Sequence, residues 1–246
     1  MECLGRPVRT ANPEGGKTMP SVLFNANRLW LFLGVAVAGI VFLNDVSAEP
    51  ISLPAPRHSG GVPVETALKQ RRSHRAYADL PVTLDDVSQL LWAAQGITHE
   101  HGYRTAPSAG ALYPLEVYLV AGHVEDLPKG VYKYRPHTHT LMGISKGDLR
   151  SDLASAALGQ NSVKLGSIVL VFAAVYERTT GKYGSRGIPY VHMEVGHAAQ
   201  NVYLQAVSLE LGTVFIGAFS DGRVKDLLTM PDAEHPLGIM PVGRSK

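Results

Sequence analysis

Arg71-Arg72-Ser73-His74-Arg75 sets three guanidiniums and a hydroxyl within five residues, followed by Ala76-Tyr77. Planar guanidinium forks bind phosphate oxygens in pairs, and a serine hydroxyl adds a neutral donor. A backbone turn at the same place would add free N–H groups. The residues alone leave two readings: a phosphate cradle, or a basic surface patch of the kind most charge runs form. In Pro107-Ser108-Ala109-Gly110-Ala111-Leu112-Tyr113-Pro114, small residues between prolines let the backbone approach a ligand closely. The alternative is an ordinary tight connection into a strand. Gly181-Lys182-Tyr183-Gly184-Ser185-Arg186-Gly187 offers two proton-transfer groups, Lys182 and Tyr183, from a stretch read as a flexible loop. Base chemistry near neutrality would need a lowered pKa at either one. A mobile surface loop is the alternative there.

Glu194, His197 and Asn201 lie at i, i+3 and i+7 in a helical stretch and are expected to share one face as a hydrogen-bonded polar seam. His192 and His197 are five apart, the wrong spacing for a two-histidine helical metal site. His99-Glu100-His101 lacks a third ligand, so no metal is expected. Gly243-Arg244-Ser245-Lys246 is either a second phosphate clamp or a charged tail.

These groups need elements to hold them. The chain has 246 residues, 45% hydrophobic and 18% charged, which allows one or two domains with a sizeable core. A formal charge of +2 gives no case for nucleic acid. The lone cysteine, Cys3, excludes an intramolecular disulfide. Residues 1–48 read as a signal peptide or N-terminal membrane anchor that engages the membrane or the export machinery. Basic residues precede an apolar run from Leu29 to Leu43, and Val46-Ser47-Ala48 has the pattern of a cleavage site. The run is short for a span of about 20 residues. Cleavage after Ala48 is preferred, a buried core helix is the alternative, and Met19 is a second candidate start. The expected location is exported, periplasmic or membrane-anchored, or cytoplasmic if the signal is not used. Without residues 1–48 no cysteine remains, which excludes thiol chemistry.

Residues 49–61 form an extended lead-in and 62–246 the main domain. Helices are expected at Val64–Gln70, from an N-cap at Thr83 with Asp86 in capping-box position to Gly96, at Leu149–Leu158, Tyr190–Leu211 and Asp221–Leu228. Strands are expected at Glu116–Ala121, at a hairpin of Gly130–Arg135 with Thr140–Ile144, at a doubly covered Ser167–Tyr176, and at Thr213–Phe219 and Leu237–Val242. The order lacks regular βαβ alternation, so the fold class is α+β, with helices packed around a mainly antiparallel sheet.

Together these segments, with Gly217-Ala218 and Pro241-Val242-Gly243-Arg244, resemble the FMN-dependent nitroreductase family over about residues 62–246. The resemblance is nearest to its SagB-type dehydrogenase branch, which includes azoline oxidases. It implies a nitroreductase-like fold forming an intertwined homodimer, with FMN at the subunit interface. It places Arg71, Arg72, Ser73 and Arg75 on the FMN phosphate and ribityl chain, and Pro107, Ser108, Ala109 and Gly110 along the flavin. Ile216, Gly217 and Ala218 would pass the other side of the ring, and Arg244 would return to the phosphate. Lys182 and Tyr183 match the catalytic pair that the azoline-oxidising branch uses to remove a proton. Flavin carries the electron chemistry, so the protein has to bind, orient and tune it. The resemblance implies oxidation of a heterocycle in a peptide or small molecule. The alternatives are an NAD(P)H-dependent nitro or quinone reductase, a flavin protein without catalysis, and a non-flavin interaction domain. Export would require FMN loading outside and a donor such as a membrane quinol in place of NAD(P)H.

Overall fold

The computed structural model describes residues 49–246, so the targeting segment expected over residues 1–48 lies outside the described residues. Seven strands form one antiparallel sheet in the order β1-β4-β3-β2-β5-β7-β6. They are β1 (Ile51–Ser52), β2 (Leu115–Ala121), β3 (Gly130–Arg135), β4 (Thr140–Lys146), β5 (Ile168–Ala174), β6 (Leu211–Thr213) and β7 (His235–Arg244). The helices are α1 (Val64–Gln70), α2 (Leu84–Gln95), α3 (Arg150–Ala156), α4 (Asn161–Leu165), α5 (Glu177–Tyr183), α6 (Gly187–Ser208) and α7 (Asp221–Leu227). This is the α+β arrangement expected.

β5 explains the layering. Side chains alternate across a strand, and every residue of β5 is buried. Ile168, Leu170 and Phe172 enter the core covered by α2 and α6, while Val169, Val171 and Ala173 enter a second core covered by α3, α4 and α7. The continuous apolar run is therefore a strand with helices on both faces. Thr83 caps α2: its hydroxyl accepts from Asp86 N, and the Asp86 carboxylate accepts from Thr83 N. That box fixes where α2 begins, and Val87, Leu90, Leu91 and Ala94 then face the core fully buried.

Three expectations need correction. Lys182 and Tyr183 are not on a flexible loop; they form the last turn of α5, and Gly184 at φ +56° ends it. The next helix, α6, starts three residues earlier than Tyr190, because Pro189 sits in the first turn, where its missing N–H has no cost. Gly187 opens α6 in contact with α5: an added Cβ would stand 2.9 Å from the Thr180 backbone. Finally, Thr213–Phe219 is not one strand. β6 stops at Thr213, and beyond it only Ile216 bridges to Ile239. Phe215 N donates instead to Tyr203 Oη at 2.7 Å, which takes the chain out of the ladder. Among the described residues, no helix is long and apolar enough to cross a membrane.

Candidate functional site

The end of α5 meets the short 3₁₀ turn Ala109–Ala111 at Gly110. Gly110 has φ +64°, and a Cβ there would lie 2.7 Å from Tyr183 Oη and 3.1 Å from Lys182 Nζ. Glycine favours this left-handed backbone conformation and leaves room for both polar ends. An ammonium and a phenol thus converge on a bare stretch of backbone. Lys182 is exposed and Tyr183 half-buried. The Tyr183 ring packs edge-on to Tyr190 at 5.3 Å between centroids, and Lys182 Nζ lies 5.4 Å from the Tyr183 ring centre.

Arg178, one turn before Lys182, fastens α5 in place. It donates to Tyr113 O at 3.1 Å and to Glu116 Oε1 at 2.5 Å, tying the helix to both the 107–114 segment and β2. Glu116 in turn pairs with Lys133 at 3.2 Å. Lys133 pairs with Glu234, whose other oxygen accepts from Tyr118 Oη at 2.7 Å. Burial pushes the Glu116 carboxyl up, but Lys133 and Arg178 outweigh it and hold it below the usual carboxylate range. Each carboxylate oxygen of Glu116 and Glu234 thus has a partner, the condition under which buried ions are tolerated.

Behind the 107–111 turn lies Glu194 of α6. Ser108 Oγ accepts from Tyr113 N at 2.9 Å, which leaves the hydroxyl proton for the Glu194 carboxyl. Glu194 is 2% exposed and its Oε1 has no partner. Burial lifts its pKa to about 7, against the opposing pull of Ser108 and Arg104. His197 does not join this seam. It faces solvent, while Asn201 Nδ2 donates to Thr105 O at 3.2 Å. At 100° per residue, position i+7 returns to within about 20° of Glu194, whereas i+3 lies about 60° away.

The cationic segment is built against the other end of α6. Arg71 lies over the Tyr203 ring at 5.2 Å, and Ser73 Oγ is 3.1 Å from Tyr203 Oη. His74 N donates to Thr213 O at 2.9 Å, so residues 73–74 run alongside 213–215. Arg72 turns back onto the end of α1, donating to Lys69 O and Arg71 O. Arg75 is exposed, and none of Arg71, Arg72 and Arg75 pairs with a carboxylate among the described residues. Gly217 and Ala218 are exposed beside this segment's neighbour strand, and Ile216 is buried. Arg244 differs from these. Its guanidinium pairs with Asp86 at 2.7 Å and donates to Pro81 O and Leu209 O, so it braces α2 against β7. Helix α6 is the shared floor: Glu194 and Tyr203 are about 14 Å apart at 1.5 Å per residue.

The relay through Arg178, Glu116 and Lys133, the half-buried Arg104, and Tyr203 carry no motif, and sequence reasoning passed over them. Lys133 alone left a signal, as a charge at a core-facing position of a strand. Among the described residues no group of three or more potential metal ligands converges. His99 lies tilted against Tyr103, and His101 meets the same ring edge-on.

Comparison with known proteins adds a frame. The family model described as "Nitroreductase family" matches residues 68–244. MJ1384 of Methanocaldococcus jannaschii, a protein named after the nitroreductases, is 50% identical over 183 residues, 74% of this chain and 91% of that one. The microcin B17-processing protein McbC of Escherichia coli is 31% identical over 133 residues, 52% of this chain and 48% of its own length. Among solved structures, a Ralstonia eutropha protein named after the nitroreductases superposes with a TM-score of 0.72 at 30% identity, covering 81% of this chain and 91% of that one. The E. coli microcin synthetase McbBCD complex, with truncated pro-MccB17 bound, shares the fold, with a TM-score of 0.62 at 23% identity, covering 86% and 84%.

Proposed function

The chain belongs to the nitroreductase family and is an oxidoreductase, and from that premise we propose that it is an FMN-dependent dehydrogenase of the SagB type. Its substrate class would be a reduced heterocycle in a peptide or small molecule. The observation that carries this reading is the convergence of Lys182 Nζ and Tyr183 Oη on Gly110. Partial identity to McbC, a processing protein, supports the same class.

The residues fit FMN. Arg71, Ser73 and Arg75 present donors with no competing carboxylate, at the end of α6 away from Lys182. Exposed Gly217 and Gly110 leave backbone accessible to a flat ring. Arg244 acts here as a brace through Asp86 rather than as a free phosphate ligand. When bound, FMN supplies a two-electron acceptor. The chain's own part is to hold the cofactor and to manage a proton. Tyr183 and Lys182, whose polar ends both lie beside Gly110, receive a substrate C–H proton and pass it to solvent, which the exposure of Lys182 allows.

The proposed assembly is a homodimer with the cofactor at its interface. Val64 and Leu68 of α1 are 55% and 53% exposed, and Ile188 and Met193 of α6 are 44% and 52% exposed, so each helix offers an unpartnered apolar edge. For location, residues 1–48 are proposed to direct export.

The test uses purified full-length protein. Denaturation should release non-covalent FMN. Arg71→Ala combined with Arg75→Ala should lose FMN while the dimer persists. Lys182→Ala should slow oxidation of a thiazoline-containing peptide by about 10²-fold or more and leave FMN bound. A colourless protein would refute the cofactor assignment. Unchanged turnover in Lys182→Ala, or NAD(P)H-driven nitroarene reduction with no azoline oxidation, would favour the generic reductase.

A further inference from the structure

A cavity of about 530 Å³ opens beside the Lys182 helix, walled by the ends of α2, β2 and the β3–β4 hairpin. It lies within the range of small-molecule sites. Its charged lining is three guanidiniums, Arg104, Arg135 and Arg178, against one carboxylate, Glu116. Glu116 gives little compensation, because its two oxygens are already held by Arg178 and Lys133. Val117, Tyr134 and Met142 make the other walls apolar.

The buried polar atoms on the α2 side are unusual. Gln95 is 0% exposed and its Oε1 accepts from Arg104 Nη1 at 2.7 Å. That contact fixes the amide orientation, since the reverse would set an NH₂ against a guanidinium. The group left over is therefore a donor, Nε2, and it has no partner. Arg104 Nε is likewise buried and unpartnered. Unpaired buried donors are costly, and both belong to residues that line the same cavity. Two free donors, excess positive charge and an apolar wall define an acceptor-rich anionic head on a nonpolar body.

We propose that this cavity binds a carboxylate borne on an aromatic or aliphatic group, with Arg104 and Gln95 at its floor and Arg135 at its mouth. A planar carboxylate matches the fork of one guanidinium, and Arg135 is exposed, its one side-chain hydrogen bond among the described residues going to Met142 Sδ at 3.3 Å. The same chemistry comes from two sources, a free organic acid or the C-terminus of a peptide. Arg178 forms part of the wall and lies one turn from Lys182 on the same helix. Binding there does not depend on FMN or on turnover.

Isothermal titration of the full chain tests it with three probes: 4-phenylbutyrate, acetyl-glycyl-phenylalanine, and the C-terminal amide of that peptide. At least one acid should bind, and the amide should bind about tenfold or more weakly than the matching peptide acid. Tighter binding of phenylbutyrate assigns free acids; tighter binding of the peptide acid assigns peptide termini. Arg135→Gln should weaken acid binding several-fold and leave the unfolding midpoint unchanged. Equal affinity for acid and amide, no heat from either acid at millimolar concentration, or full affinity in Arg135→Gln would overturn the site. The orphan donors would then hold water only. None of these outcomes touches the FMN reading, which is tested by flavin release.

Discussion

Glu194→Gln should make the stability of this protein less sensitive to pH. In the folded chain the Glu194 carboxyl is 2% exposed, with Oε1 unpartnered. Burial moves its pKa from an ordinary 4.5 up to about 7. The folded state therefore holds this proton more tightly than the unfolded chain does. Below about pH 4.5 the carboxyl is protonated in both states and carries no penalty. As pH rises from there to about 7, only the unfolded chain gives up its proton freely, so folding loses stability. Above 7 the loss is complete and constant. At 1.36 kcal/mol for each pH unit of displacement, that loss reaches about 3 kcal/mol. Glutamine keeps the shape and can still accept from Ser108, but it never ionises. The variant should match the parent near pH 4.5 and exceed its stability by about 2–3 kcal/mol at pH 8. Urea denaturation at pH 5, 6, 7 and 8 reads the difference directly. A difference that stays flat across that range, or a variant weaker than the parent at pH 8, would refute the reasoning.

Two smaller perturbations follow from the site. Gly110→Ala puts a methyl 2.7 Å from Tyr183 Oη on a backbone at φ +64°; it should cost about 1–2 kcal/mol in strain and lower both FMN content and turnover per bound FMN, measured by flavin release and steady-state rates. Tyr203→Phe removes the partner of Ser73 Oγ and Phe215 N together. It should cost about 1–3 kcal/mol and weaken FMN retention, seen in denaturation midpoints and in flavin loss on dialysis.

Local signals carried most of the fold. The Thr83–Asp86 box and the apolar spacing after it place α2 to the residue, and the β5 run reads as a strand buried on both sides because it is apolar without alternation. The errors cluster where long-range contacts override local pattern. Glycines on both sides of Lys182-Tyr183 read as a loop, yet Arg178 docks that stretch onto residues 113 and 116 as a helix. Phe215 has strand character, but a tyrosine twelve residues back claims its N–H. At the site, the residue types at 71–75, 108–110 and 182–183 were legible. Their grouping was not: the meeting at Gly110 and the brace from Asp86 to Arg244 join segments far apart in sequence. Arg104 and Gln95 were invisible for the same reason, since neither sits in a motif.

The cationic segment between α1 and α2 is held by residues far from it in sequence as well as by local bonds such as Arg72 to Lys69 O. Ser73 leans on Tyr203, His74 on Thr213, Tyr77 on Pro241, and Ala78 N on Arg244 O. Those supports come from α6, β6 and β7, the last of which lies between β5 and β6 in the sheet. The segment thus joins three elements that are distant from it in sequence. An anion captured there recognises the finished fold and no partial one. It therefore adds its binding free energy to global unfolding, not to local opening. Hydrogen exchange of the β5 amides, inside the sheet, should slow in step with cofactor concentration.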